Sequence, residues 1–228
     1  MSDYPAPRRS GLKDERLSVL GIVLSVNVGS ETEFMWRGKP RTSSIWKRPV
    51  EGRVEIRGNN LQGDVQADLR VHGGPRKALY AYSWEDSLWW EQELGREIEA
   101  GAWGENLTLK GVPVEECKPG DRWQVGSALV EITQPRVPCW KLGAKMQDPR
   151  FPRKFARSER TGAYLAVVEE GNVGAGDEVL LLSRSEHPVT IGLLAHLNHT
   201  DGELAAMYLQ ATQMDLSAEE WRRLFPEP

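Results

Sequence analysis

Cysteine is scarce in this chain, and the scarcity excludes two classes of protein. Only Cys117 and Cys139 occur among 228 residues. Two thiols cannot build the disulfide framework of a small secreted domain, nor the four-ligand set of a closed structural zinc site. They read as reduced cysteines in a reducing compartment, with Cys117 a buried and inert neighbour of Glu115, Glu116 and Lys118. Excess positive charge is also missing. The 29 basic and 33 acidic residues leave a formal charge of −4, the wrong balance for a general nucleic-acid binder, though it leaves room for a local basic pocket. Long apolar runs are missing as well. Leu17 to Val28 is the longest near the start, and it is too short to cross a bilayer. Arg8, Arg9, Lys13 and Arg16 precede it as in a signal peptide, but no small-residue cleavage site follows and its valines suit a strand. The expectation is a cytoplasmic protein with no membrane association and no stable nucleic-acid partner.

What is present points to one large core with a minor appendage. Residues 1–16 are polar, carry Pro5 and Pro7, and read as a flexible arm. Residues 17–185 form short β-rich runs punctuated by glycine and proline, which favours a barrel or sandwich with peripheral helices over a parallel α/β sheet. Asp121 to Ile132 reads as two strands turning at Gly126-Ser127. One helix stands out there, opened by Ser83 with Asp86 in the capping-box position and running to Leu94, with Trp84, Leu88, Trp89 and Trp90 as its apolar face. Residues 186–228 change texture. Three short helices are expected, from Thr190 to Asn198, from Glu203 to Gln213, and from a Ser217 cap to Phe225. Leu204, Met207, Tyr208 and Ala211 recur at helical spacing in the second. Most of the nine tryptophans should be core.

Three stretches could carry chemistry. Gln134 to Leu142, QPRVPCWKL, presents Cys139 between Arg136 and Lys141 on a segment stiffened by Pro135 and Pro138. Nearby cations favour the thiolate, which binds metals or attacks electrophiles, although a buried cysteine at a strand end is common. Arg70 to Lys77, RVHGGPRK, combines Gly73-Gly74 with Arg70, His72, Arg76 and Lys77. Such a turn either cradles an anion on its backbone N–H groups or is simply tight and solvated. Gly101 to Thr108 places Glu105 and Asn106 at a strand start. An asparagine amide can read the edge of a heterocycle, but taken alone both side chains are better explained as partners for loop amides.

The ordered series HGGP with RKALYAY, GAWGENLTLKG, GDRWQVG and QPRVPCWKL resembles the signatures of the MOSC domains, named for the C-terminal part of molybdenum-cofactor sulfurases. Lys47, Gly63-Asp64 and Asp68 upstream, and Arg160-Thr-Gly-Ala-Tyr downstream, are similar to that pattern as well. The last three helices resemble the 3-alpha extension of a bacterial branch that includes 6-hydroxylaminopurine-resistance proteins. The resemblance implies a MOSC β-barrel with a small three-helix extension, and a molybdenum cofactor with Cys139 as its metal ligand and catalytic centre. It further implies that Lys47, Arg70, His72, Gly73, Gly74, Asn106, Arg136, Lys141 and Arg160 bind that cofactor. Arg70 departs from relatives that often carry lysine, with the positive charge kept. The implied activity is reduction of N-hydroxylated compounds. No nicotinamide or flavin fingerprint is evident, so a separate flavoprotein or iron–sulfur donor is expected, and a homodimer stays open. Pyridoxal phosphate binding is a further association of the family, although the desulfurase module that would use it is missing. The rival readings are a persulfide carrier and a non-catalytic cofactor carrier.

Overall fold

The computed structural model describes residues 18–66, 73–214 and 216–225, so the N-terminal arm lies outside it. Thirteen strands, six α-helices and two short 3-10 turns follow in chain order among these residues. The strands are β1 (Ser18–Val28), β2 (Thr32–Trp36), β3 (Lys39–Ser43), β4 (Arg48–Pro49), β5 (Arg53–Arg57), β6 (Asn60–Leu61), β7 (Leu79–Ser83), β8 (Leu107–Lys110), β9 (Arg122–Val125), β10 (Ala128–Pro135), β11 (Ala163–Glu169), β12 (Gly171–Gly174) and β13 (Glu178–Ser183). The helices are α1 (Trp84–Leu94), α2 (Trp140–Lys145), α3 (Phe151–Arg157), α4 (Ile191–Thr200), α5 (Gly202–Ala211) and α6 (Ala218–Leu224).

The β-branched run of β1 is long enough to serve two neighbours. Its first half pairs with β13, Ser18 opposite Leu181, and its second half with β8, Val26 opposite Leu107. That double use closes the order β13-β9-β10-β11-β7-β8-β1 into a seven-stranded barrel. Closure leaves these strands without a free edge. The turn expected at Gly126-Ser127 is present: Val125 faces Ala128, and Gly126 takes the left-handed φ of +61° that the tight connection needs. One pair departs from the antiparallel pattern. Strands β7 and β8 run parallel because α1 carries the chain across between them.

Strand β7 shows how the packing divides. Leu79 and Ala81 point into the barrel, where they join Val130, Ile132 and Leu165. Tyr80 and Tyr82 point outward, where α1, α2 and α3 cover them with Trp90, Leu142, Phe151 and Phe155, and the loop before β8 adds Trp103. Polar tips inside this second core are paired, with Trp90 Nε1 on Tyr82 Oη at 3.0 Å and Trp103 Nε1 on Ser87 Oγ at 3.0 Å. The apolar face expected for α1 is corrected here. Leu88 is exposed, while Asp86, Ser87 and Trp90 are buried. Ser83 caps the Asp86 amide as expected, but its hydroxyl also bonds Glu85, and Asp86 spends its carboxylate on Arg160. Helices α2 and α3 and the β2–β3 hairpin were not anticipated; each is short, and α3 reads as a charged loop, FPRKFAR.

The three C-terminal helices are capped by Thr190, Asp201 and Ser217. Ser217 and Glu220 form a full capping box. On α5 the buried face holds Ala205 and Ala211, while Met207 points to solvent against expectation. Val189, Leu194, Ala211 and Trp221 form a small core between the helices. Ile191, by contrast, belongs to the barrel core, and its amide donates to the Cys117 carbonyl at 2.8 Å. Cys117 is buried as expected, and burial pushes its thiol up to about 12. Replacing Ile191 with alanine should therefore cost about 2–5 kcal/mol. In urea titrations, tryptophan fluorescence and circular dichroism are expected to shift together. Loss of helical signal ahead of the tryptophan transition would show that α4 does not depend on the barrel.

Candidate active site

Pro135 ends β10 because it has no N–H to offer the ladder. The chain then runs through Arg136, Val137 and Pro138 to Cys139, whose extended backbone caps the N-terminus of α2. Cys139 is half-buried and lines an open cleft. Lys47, Asn106, Arg136 and Lys141 line the same cleft, as do Asp64, Lys77, Tyr80 and Tyr164. Five of the residues expected in the site are thereby brought together: Lys47, Asn106, Arg136, Cys139 and Lys141.

Arg136 is the buried cation of this group. Its guanidinium donates to the Trp103 carbonyl and lies 4.8 Å over the Tyr80 ring, while its backbone amide donates to Gly162. Burial opposes the charge, but Tyr80, Tyr164 and Cys139 outweigh it, and the net effect raises the Arg136 pKa. The tyrosine opposite is held in turn by its hydroxyl, which donates to Thr161 at 2.7 Å. Burial pushes the Tyr80 and Tyr164 phenols upward, so both stay neutral donors at ordinary pH.

Asp64 is the hub of a second arrangement. It accepts from Lys47 Nζ, from the Gly29 amide at 2.8 Å and from Asn106 Nδ2 at 2.9 Å. Burial lowers the Lys47 pKa, with Asp64 opposing the shift. Asn106 also accepts from the Tyr80 amide at 3.1 Å. Both ends of its amide are thus engaged within the protein, and its place in the cleft wall is that of a positioning residue. Glu105 does satisfy loop amides, accepting from Gly101 at 2.6 Å and Trp103 at 3.0 Å. Lys145, six residues beyond the thiol at the end of α2, donates to the carbonyls of Ile45 at 2.9 Å and Gly101 at 2.6 Å. Burial pulls its pKa down to about 8.

The remaining expected residues are distributed differently. Arg70 and His72, with Asp68, lie outside the described residues. Gly74 is described and has φ +93°, open to glycine at no steric cost, and it leads into the 3-10 turn Pro75–Lys77 that brings Lys77 to the cleft. Gly73 precedes that turn, and neither glycine lines the cleft itself. Arg160 does not line it either: its guanidinium pairs with Asp86 on α1 and lies 5.1 Å from the Trp89 ring. Sequence reasoning missed the hub role of Asp64, the two tyrosines and Lys145. Period-2 alternation in LYAYS was a signal for Tyr80, whereas nothing local marks Lys145. Near Cys139, an aromatic group forms one flank. Trp140 stacks with Trp36 at 6.3 Å and meets Phe34 at 6.1 Å, both from the β2–β3 hairpin.

The MOSC domain model matches residues 68–180, which contain the thiol, Asn106 and five of the seven barrel strands in full. Along almost the whole chain, the Bacillus subtilis protein YflK is 37% identical over 215 residues, covering 94% of this chain and 95% of that protein. The chain belongs to the MOSC-domain family. The crystal structure of YiiM from Geobacillus stearothermophilus has the same fold, with a TM-score of 0.68 and 33% identity over 90% of this chain and 96% of that one. A protein named reductase from Gibberella moniliformis is 32% identical over 168 residues, covering 72% of this chain but only 30% of that protein.

The buried Lys47–Asp64 pair yields a stability test. Asp64→Asn leaves an ammonium group buried without its counter-charge, which should cost about 3–5 kcal/mol. Lysine lowered in the folded state means that the unfolded chain binds more protons as pH approaches the ordinary value of 10.5. Stability from this group therefore rises with pH over that window. The deficit of Asp64→Asn relative to wild type should narrow as pH rises from 7 toward 10.5 in urea titrations. A deficit constant with pH would mean that Lys47 is not charged in the folded protein.

Proposed function

We propose that the cleft holds a molybdenum–pterin cofactor with Cys139 as its sulfur ligand, and that the protein reduces N-hydroxylated compounds such as hydroxylaminopurines to amines. The observation that carries this reading is one half-buried cysteine in the wall of a cleft also lined by Lys47, Lys77, Arg136 and Lys141, in a protein of net charge −4. The donor set suits the group. A pterin dithiolene brings its own two sulfurs, so a single soft protein ligand completes the set, and hard oxygen ligands are not required. When bound, the cofactor supplies the two-electron exchange that turns an N-hydroxyl group, two electrons and two protons into an amine and water.

The chain's residues bind and orient. Lys47 already has Asp64 as counter-ion, and Lys77, Arg136 and Lys141 line the same cleft, where cationic side chains suit an anionic pterin phosphate. Arg136, fixed by Trp103 and Tyr80, sets a permanent cation beside the sulfur and favours a bound sulfur anion. Tyr80 and Tyr164 supply aromatic lining with neutral hydroxyls. The electrons come from a separate flavoprotein or iron–sulfur reductase. Pyridoxal phosphate has no part in this reading, because the buried lysines Lys47 and Lys145 are committed to Asp64 and to backbone carbonyls.

Protein produced in a host that makes the cofactor tests the reading. Cys139→Ala should lower reductase-coupled turnover of 6-hydroxylaminopurine by about a thousandfold or more, with molybdenum content falling in parallel. Its melting temperature should stay within a few degrees of wild type, since the side chain is half-buried at a helix start. Undiminished turnover by Cys139→Ala would refute the assignment. Wild-type protein with molybdenum but no turnover would indicate a carrier, and a Cys139 persulfide without molybdenum would indicate sulfur transfer.

A further inference from the structure

Two of the four histidines lie together on α4. His196 and His199 are one helical turn apart and share a face. The connection from α3 to β11 brings Glu159 to them. His196 Nδ1 is 2.7 Å from Glu159 Oε1, and His199 Nε2 is 3.6 Å from the same oxygen. The imidazole centroids are 5.4 Å apart, and one ligand atom from each of the three residues lies within 4.8 Å of the other two. Among the described residues, no other trio of histidine, cysteine, aspartate or glutamate converges in this way. None of the three lines the thiol cleft. Glu159 adopts φ +61°, a left-handed conformation that a non-glycine residue rarely takes, and this conformation directs its carboxylate to α4.

We propose that Glu159, His196 and His199 form a site for one divalent transition cation of the zinc class. Tetrahedral zinc bound at its usual distances separates ligand atoms by about 3.3 Å. The observed 2.7 and 3.6 Å fall on either side of that value, and the two imidazole ligand atoms lie within 4.8 Å of each other, so rotation of the three side chains brings them onto one ion. Two neutral imidazoles and one carboxylate leave one coordination position for water and suit a borderline cation. Calcium and magnesium, which call for six or more oxygen ligands, do not fit.

Position gives the site its consequence. Glu159 is followed by Arg160, which pairs with Asp86, then by Thr161, whose carbonyl accepts from Tyr80, and Gly162, whose carbonyl accepts from Arg136. A cation joining Glu159 to α4 therefore staples the C-terminal helices to the segment that backs the cleft. The proposal does not depend on what the cleft binds.

Zinc chloride titrated into metal-free full-length protein in a calorimeter tests it, with wild type and Cys139→Ala compared. One equivalent should bind both with the same affinity and raise the melting temperature by roughly 5 °C at saturation. His196→Gln with His199→Gln, and separately Glu159→Gln, should weaken binding at least about a hundredfold. Cobalt-loaded wild type should show nitrogen and oxygen ligation without a thiolate charge-transfer band, a readout that needs no variant. The proposal is overturned if wild type takes up no zinc, if binding survives the paired histidine substitutions, or if it vanishes in Cys139→Ala.

Discussion

Burying a guanidinium costs several kcal/mol unless its donors are met, and the site is organised around the way Arg136 meets that cost. Its side chain reaches the Trp103 carbonyl and the Tyr80 face, and its own amide takes the Gly162 carbonyl. Three separate parts of the chain are thereby drawn to the exit of β10. They are the 101–104 turn, the outward face of β7 and the segment before β11. Cys139 follows three residues later on a path narrowed by Pro138. The sulfur is placed by a cation that itself has almost no freedom, and a cleft wall built in this way holds its shape without a ligand.

The electrostatics of the cleft follow from a division of labour between its cations. Lys47 is neutralised by Asp64, so its contribution is to fix the loops that carry Gly29 and Asn106. Lys145 is spent on two carbonyls beneath α2. Arg136, Lys77 and Lys141 line the cleft as well. A protein with an overall acidic balance thus presents a locally basic recess.

Sequence reading succeeded where the determinant is local. The turn at Gly126, the Ser83 and Ser217 caps, the buried Cys117 and the strand that stops at Pro135 each follow from one or two residues and their immediate neighbours. It failed where the determinant is a distant partner. Leu88 was expected inward because it is apolar, but Asp86 and Ser87 are buried instead, because Arg160 and Trp103 come to them from elsewhere in the chain. The same capture removes Arg160 from the cleft. Asn106, read in isolation as a partner for loop amides, accepts from the Tyr80 strand amide and gives its other end to Asp64, while still lining the cleft. Motif order located the cleft wall at Cys139, Arg136 and Lys141, while the hub at Asp64 becomes visible only when Lys47, Gly29 and Asn106 converge on it.

Barrel closure has a consequence for synthesis. Ser18 finds its partner in Leu181, so on the ribosome β1 emerges long before β13 exists. At about 5–20 residues per second, the first strand waits roughly ten seconds or more with one flank unmatched. An apolar ribbon in that condition is a template for mispairing with another nascent chain. The first strand can close the barrel only after residue 183 has left the ribosome, so its β13-facing flank stays open for most of the chain's synthesis.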